Sequence, residues 1–168
     1  MINETTSTSA AQTGSKPMDH AGVRLPPPLL YIVIFGLGWL LQQFAPLSLP
    51  VNLPVRVAAI LFVAVGVLLI VWANVLFQRN HTSMVPVRPT NTLVIRGPYR
   101  LTRNPMYLGL LCIYIGAALW FGTAWALILT PLVVLAVHFQ AIAKEERYLG
   151  QKFGDSYRQY RTQVRRWI

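Results

Sequence analysis

Hydrophobic positions in this chain run in long blocks, and charged positions fall only between them. Residues 25–55 carry no Asp, Glu, Lys or Arg, and the apolar part, Leu29 to Phe44, reads LLYIVIFGLGWLLQQF. Val57 to Phe77 is a second block, VAAILFVAVGVLLIVWANVLF, in which Asn74 is the one polar side chain. From Asn104 to Ala143 the chain runs 40 residues without a charge. A hydrocarbon core about 30 Å thick takes about 20 helical residues to cross, so this last run accommodates two crossings. Phe121-Gly122-Thr123 is the best place for the turn between them. The pattern predicts helices over 28–46, 55–78, 105–121 and 124–143, the third short enough for part of it to sit at the interface. Core helices of a soluble protein would show a polar stripe, and 57–77 shows none.

After the fourth helix the pattern changes. Leu149, Phe153, Tyr157, Tyr160, Val164 and Trp167 recur at steps of three or four, which makes one apolar helical face. Arg158, Arg161 and Arg165 fall on another. A basic amphipathic helix with aromatics, directly after a membrane helix, is expected to lie along the membrane surface. Gly150 and Gly154 predict a break or bend in it. The first 20 residues, MINETTSTSAAQTGSKPMDH, have almost nothing to bury and are expected to be disordered. They lack the basic start and apolar core of a signal peptide. The expected protein is thus an all-α integral membrane protein with about four transmembrane helices plus a C-terminal amphipathic interfacial helix. Its segments are a disordered 1–24, a transmembrane domain 25–143 with a loop at 79–104, and a basic helix at 144–168.

Composition supports that class. Charged residues make up 12% of the 168 positions and hydrophobic ones 54%, where a soluble domain carries about 25% charged. The net charge of +10 invites a nucleic-acid reading. The bases, however, sit between uncharged runs and make no single soluble face, so no nucleic-acid partner is expected. They set orientation instead. Lys16 and Arg24 precede helix 1, and Arg79, Arg88, Arg96, Arg100 and Arg103 lie between helices 2 and 3. Seven more bases follow helix 4, and Arg56 is the one exception to the pattern. All three basic segments share a side only if there are four crossings, which places both termini and the 79–104 loop in the cytoplasm. In a bacterium the membrane would be the inner, plasma membrane. One cysteine, Cys112, excludes an intramolecular disulfide framework and a Cys-rich metal site.

Candidate chemistry is sparse. The stretch 91–109, NTLVIRGPYRLTRNPMYLG, has turns at Gly97-Pro98 and Asn104-Pro105, and Pro105 can open a helix without losing a needed N–H. Tyr99 and Tyr107 stand beside Arg96, Arg100 and Arg103, and aromatic faces next to cations can hold a flat heteroaromatic ring or a cation. By spacing alone this signal is weak, because interfacial tyrosines and arginines are common in membrane proteins. Glu145 and Glu146 are two of only five acidic residues, and they either pair with nearby arginines such as Arg103 and Arg147 or serve a site. His138 lies seven residues before Glu145 on the same helical face, where it either bonds a neighbouring helix or marks a site. No H-x-x-H, H-E-x-x-H or Cys cluster supports a metal, and neither G-x-S-x-G nor a phosphate-binding G-x-x-x-x-G-K-[ST] occurs.

The segment G-P-Y-R-x-x-R-N-P-M-Y-L-G is followed 35–45 residues later by E-E-x-x-L-x-x-x-F-G-x-x-Y-x-x-Y. Together they resemble the signature of the isoprenylcysteine carboxyl methyltransferase family, which is related to the membrane phospholipid N-methyltransferases. The resemblance covers roughly residues 80–165. It implies a membrane enzyme that binds S-adenosylmethionine at its cytoplasmic face and takes a lipophilic acceptor from the bilayer. Carried over by position, cofactor contacts fall on Asn91, Thr92, Leu93 and Val94, then Tyr99, then Asn104, Pro105, Met106 and Tyr107, with Glu145 closing the site. The eukaryotic enzymes have His where this chain has Asn91 and Asn104, so those two positions read as ligand contacts rather than acid–base groups. They also place an Arg for the substrate carboxylate where this chain has Ala141.

On this resemblance Tyr99 and Tyr107 flank the adenine or the sulfonium, the 91–94 backbone holds polar edges, and Glu145 accepts hydrogen bonds. Arg103 orients Glu145 or meets an anionic acceptor, and His138 deprotonates an acceptor that needs it. The acceptor atom, whether carboxylate oxygen, thiol sulfur or amine nitrogen, stays open. A protein this small could share its site with a second copy as a homodimer. Two other classes compete: an NADPH-dependent sterol-reductase-like enzyme, whose 2′-phosphate the arginines would suit, and a non-catalytic scaffold whose basic face binds anionic lipid.

Overall fold

The structure is a computed structural model that describes residues 26–47, 49–79, 93 and 95–167. The expected disordered segment 1–24 and most of the 79–104 loop lie outside the described residues. The described residues are helical throughout: α1 (Pro27–Phe44), α2 (Leu53–Arg79), a 3-10 turn (Gly97–Arg100), α3 (Pro105–Trp120), α4 (Ala124–Ile128), α5 (Thr130–Val137), a π turn (His138–Ile142) and α6 (Ala143–Gln163). Proline occupies the first turn of α1, the 3-10 turn, α3 and α5, where its missing N–H costs nothing.

α1 and α2 are long and apolar enough to cross a membrane, and α3 is apolar over 16 residues. α2 buries little more than Ala59, Gly66 and Ala73 within the protein. Val57, Leu61, Leu68, Val71 and Trp72 are left exposed along it. A continuous apolar surface of this kind belongs in hydrocarbon rather than water. With no hydrophobic drive between helices in lipid, close backbone packing has to hold them together. The α2–α3 pair achieves it through glycine. A Cβ on Gly66 would stand 2.5 Å from the Gly109 carbonyl oxygen and 2.7 Å from Ile113, and one on Gly116 would meet the Ala59 carbonyl oxygen at 2.8 Å.

The turn expected at 121–123 is present, and it is tied to the α1–α2 connection. The Leu49 N–H donates to the Gly122 carbonyl (3.0 Å), the Ala124 N–H to that of Leu47 (3.2 Å), and the Trp125 indole N–H to that of Ala45 (2.6 Å). The regular helix expected over 124–143 is instead three pieces. α4 stops at Ile128, α5 restarts with Pro131 in its first turn, and five residues from His138 form a wider π turn. Pro131 has no N–H to continue the ladder, and π turns often mark functional places in a helix. The chain then continues into α6 without a break, so no helix end separates the apolar run from the basic end.

α6 bends at Gly154, whose φ of 51° and ψ of −122° interrupt the helix; the bend falls where the glycines predicted it. Its aromatic face is spent inside the protein. Tyr157 and Tyr160 are buried with Ala73 of α2 and Tyr99, while Trp167 packs on a second cluster that includes Tyr107, Tyr148 and Ile142.

Replacing Gly66 with Ala should destabilise the protein by about 1–3 kcal/mol, because backbone and not a flexible side chain occupies the space. Gly36→Ala in α1 meets nothing within 4 Å and should be neutral or stabilising by up to about 1 kcal/mol. Thermal melts of both variants in detergent check this pair; equal melting temperatures would remove the close α2–α3 contact as the explanation.

Candidate active site

The two sequence segments singled out above meet at one end of the bundle. The 3-10 turn stacks on α2, with Gly97 at φ 60° against the Trp72 indole, and carries Tyr99 inward. The Tyr99 ring meets Phe77 edge-on at 5.5 Å, and its carbonyl accepts a 2.7 Å hydrogen bond from the Tyr160 hydroxyl. Leu93 and Met106 pack on the same cluster. Pro105, fully buried, opens α3 and sets Tyr107 in its first turn.

From there the Tyr107 hydroxyl donates to Glu145 Oε1 at 2.5 Å. Tyr107 is held from behind as well, since its carbonyl accepts from the Tyr31 hydroxyl of α1 at 2.8 Å. Glu145 is partly exposed as a residue, yet protein crowds its carboxylate. That desolvation raises its pKa from 4.5 to about 7; the Tyr107 hydrogen bond pulls it back and the neighbouring Glu146 charge adds to the rise. Burial likewise pushes the Tyr99 hydroxyl up, and the charge of Glu145 helps, which places Tyr99 within electrostatic reach of that carboxylate. Tyr99, Tyr107 and Glu145 therefore form one constellation.

Glu146 faces another way and joins the arginines. Arg166 grips it with two hydrogen bonds, Nε to Oε1 at 3.0 Å and Nη2 to Oε2 at 2.6 Å. Arg103 stands beside it with Nη1 3.0 Å from Oε1. That contact is a charge pairing without hydrogen-bond alignment, and the buried Nε and Nη1 of Arg103 have no hydrogen-bond partner among the described residues. Arg103 thus pairs with the second glutamate of the motif, not with Glu145. The C-terminal strap closes the arrangement. The Arg103 N–H donates to the Arg165 carbonyl (3.0 Å), and the Thr102 hydroxyl and Asn104 side-chain amide both donate to the Arg166 carbonyl (3.0 and 2.9 Å).

Asn104, Pro105, Met106, Tyr107, Tyr99, Leu93 and Glu145 are thus gathered at one end. Asn91, Thr92 and Val94 lie outside the described residues. His138 begins the π turn, half-buried, with its ring edge-on to Phe139 at 4.9 Å. The wider turn shifts it off the face that a uniform helix would share with Glu145. Sequence reasoning missed Arg166, Thr102 and the strap. The available signal was Glu146 itself, a second acidic residue in a predominantly basic zone.

Two stability predictions follow from this geometry. Glu145 loses its proton near pH 4.5 when unfolded and near 7 when folded, so its contribution to stability is greatest below pH 4.5 and falls as pH rises through 7. Glu145→Gln should flatten that part of the stability–pH curve, which denaturant melts between pH 4 and 8 measure. Glu146→Ala strands two arginines, one of them nine-tenths buried, and should cost about 3 kcal/mol. The exposed Arg158–Asp155 pair should lose under about 1 kcal/mol on Asp155→Ala. Similar losses in the two variants would show that Glu146 does not bind the strap.

Residues 55–156 match the phospholipid methyltransferase family. An uncharacterized protein of Haemophilus influenzae is 44% identical over 63 residues, 38% of this chain and the whole of that protein. A protein-S-isoprenylcysteine O-methyltransferase of Schizosaccharomyces pombe is 39% identical over 72 residues, 43% of this chain and 30% of that enzyme's length. No solved structure matches the chain.

Proposed function

The chain belongs to the phospholipid methyltransferase family and is a membrane methyltransferase, and from that premise we propose that it moves a methyl group from S-adenosylmethionine to a lipophilic acceptor. The observation that carries the choice of donor is the Tyr107–Glu145 pair beside Tyr99. A carboxylate whose ionised form is disfavoured by burial gains most from a cationic ligand, and aromatic faces add to that preference. The resident groups therefore fit a sulfonium donor. Bound there, that donor supplies an already activated methyl group for in-line displacement.

The chain's own part is alignment and exclusion of water, and positioning of this kind supplies about 7–11 kcal/mol in well-oriented reactions. Tyr107, fixed at both its hydroxyl and its carbonyl, holds Glu145 in place. Glu145 accepts hydrogen bonds from the donor's amino or ribose groups, Tyr99 lines the aromatic side, and Asn104 stands at the start of α3. Leu93, Met106 and Pro105 supply apolar packing, and the segment 91–94 would hold the donor's polar edges. Arg103 acts through Glu146, while His138 would serve only an acceptor that must lose a proton.

Four crossings, with both termini and the site in the cytoplasm, complete the proposal. They are supported by the basic residues around 79–104 and after 143, and by the return turn at 121–123. The acceptor enters from the bilayer beside the apolar helices. Family membership weighs against the NADPH-dependent reductase and the scaffold.

Titration of detergent-purified protein with S-adenosylmethionine, run beside NADPH, tests the assignment. Saturable binding of the first alone is expected, lost in Glu145→Gln and weakened at least about tenfold in Tyr107→Phe, the scale of one charge-assisted hydrogen bond. Affinity should rise between pH 6 and 8 as Glu145 ionises, and Glu145→Gln should remove that slope. Undiminished binding in both variants would overturn the site, and NADPH binding would overturn the reaction.

A further inference from the structure

The end of α2 and α3 remote from Glu145 holds a feature that methyl transfer does not use. A groove of about 440 Å³ runs between the two helices, lined by the small residues Ala59, Gly116 and Ala117 and by Ile60, Val63 and Trp120. Its far end, at Trp120, lies about 20 Å along α3 from Tyr107, at about 1.5 Å per residue. At its mouth Arg56, one turn before Ala59 and Ile60, sits over the Trp120 ring at 5.7 Å.

Arg56 is the one basic residue that the charge pattern leaves at that end of the chain. No described carboxylate is near enough to pair with it; the described ones, Glu145, Glu146 and Asp155, are all on α6. Stacking on an aromatic face fixes a guanidinium while leaving its in-plane N–H groups free, and those groups suit a phosphate bidentately. A tryptophan at a helix end also marks the headgroup level of a bilayer. An apolar furrow opening under a pinned arginine with no described carboxylate beside it is complementary to one kind of molecule.

We propose that this groove is a binding site for an anionic phospholipid, with one acyl chain along the α2–α3 furrow and the headgroup phosphate on Arg56. The site is separate from the methyl-transfer centre and does not depend on what that centre does. The small residues that let α2 and α3 approach also keep the furrow low enough to receive a chain. The bound lipid lies in the furrow that the small residues leave over the close α2–α3 contact.

Native mass spectrometry of detergent-purified protein, titrated with dioleoylphosphatidylglycerol or dioleoylphosphatidylcholine, reads this directly and without any methyl transfer. The wild-type protein should retain one phosphatidylglycerol in preference to phosphatidylcholine. Arg56→Gln should lower that retention about tenfold, to the level of phosphatidylcholine, as expected for loss of a charged hydrogen-bonding partner. Ala117→Phe, which fills the furrow, should lower retention of both lipids. Arg158→Gln, at the opposite and more basic end, should leave the preference intact. The melting temperature of each variant reports folding, and Arg56→Gln alone decides if Ala117→Phe does not fold. An unchanged preference in Arg56→Gln, or its loss in Arg158→Gln, would overturn the site.

Discussion

The geometry of the basic end depends on one carboxylate. Glu146 is buried, and burying a carboxylate is costly unless cations meet it. Arg103 comes from the segment before α3, Arg166 comes from the strap after α6, and Glu146 itself starts α6. Three pieces far apart in the chain are thereby drawn to one point. Their backbones follow, with Thr102, Arg103 and Asn104 all bonded to the carbonyls of Arg165 and Arg166. Asn104 gives its side-chain N–H to the strap and makes no side-chain cap hydrogen bond to α3.

That clasp separates two neighbouring glutamates into two roles. Adjacent positions on a helix point about 100° apart, from 3.6 residues per turn, so Glu145 and Glu146 cannot face the same partner. With Glu146 committed to arginines, Glu145 is turned to Tyr107. No described arginine neutralises it, and burial is the largest influence on its pKa. A shift of this origin in a cleft is the kind found at functional sites. Had Arg103 paired with Glu145 instead, its charge would have held the carboxylate down and competed with any cationic ligand.

Much of this was legible in the sequence, and the reason differs by feature. Uncharged runs bounded by prolines located α1, α2 and α3 to within a few residues, because both the bilayer and the missing proline N–H act locally. Gly154 announced the bend in α6 for the same reason. The break after Ile128 was missed because Val, Leu and Ala on both sides of Pro131 keep the apolar pattern unbroken; hydropathy does not register a lost hydrogen bond. The π turn at His138 leaves no mark in composition at all, and it upset the inference that His138 and Glu145 share a face. At the site, Tyr107 and Glu145 were singled out by motif and are in contact. The partner of Arg103 could not be chosen between two adjacent glutamates without knowing which way α6 is rotated.

The aromatic face of α6 shows how one sequence pattern admits two uses. Apolar residues every three or four positions serve equally to lie on a membrane or to pack against a helix. What decides here is the hydroxyl chemistry. A tyrosine at a lipid surface can keep its hydroxyl in water, whereas one packed inside needs a partner. Tyr160 has one in the Tyr99 carbonyl, and Tyr157 is fully buried beside it. The face is consequently turned toward Tyr99, and the arginines of the opposite face are left outward. A helix anchored in this way brings Glu145, Glu146, the strap and the basic surface to the same end of the molecule through one packing arrangement.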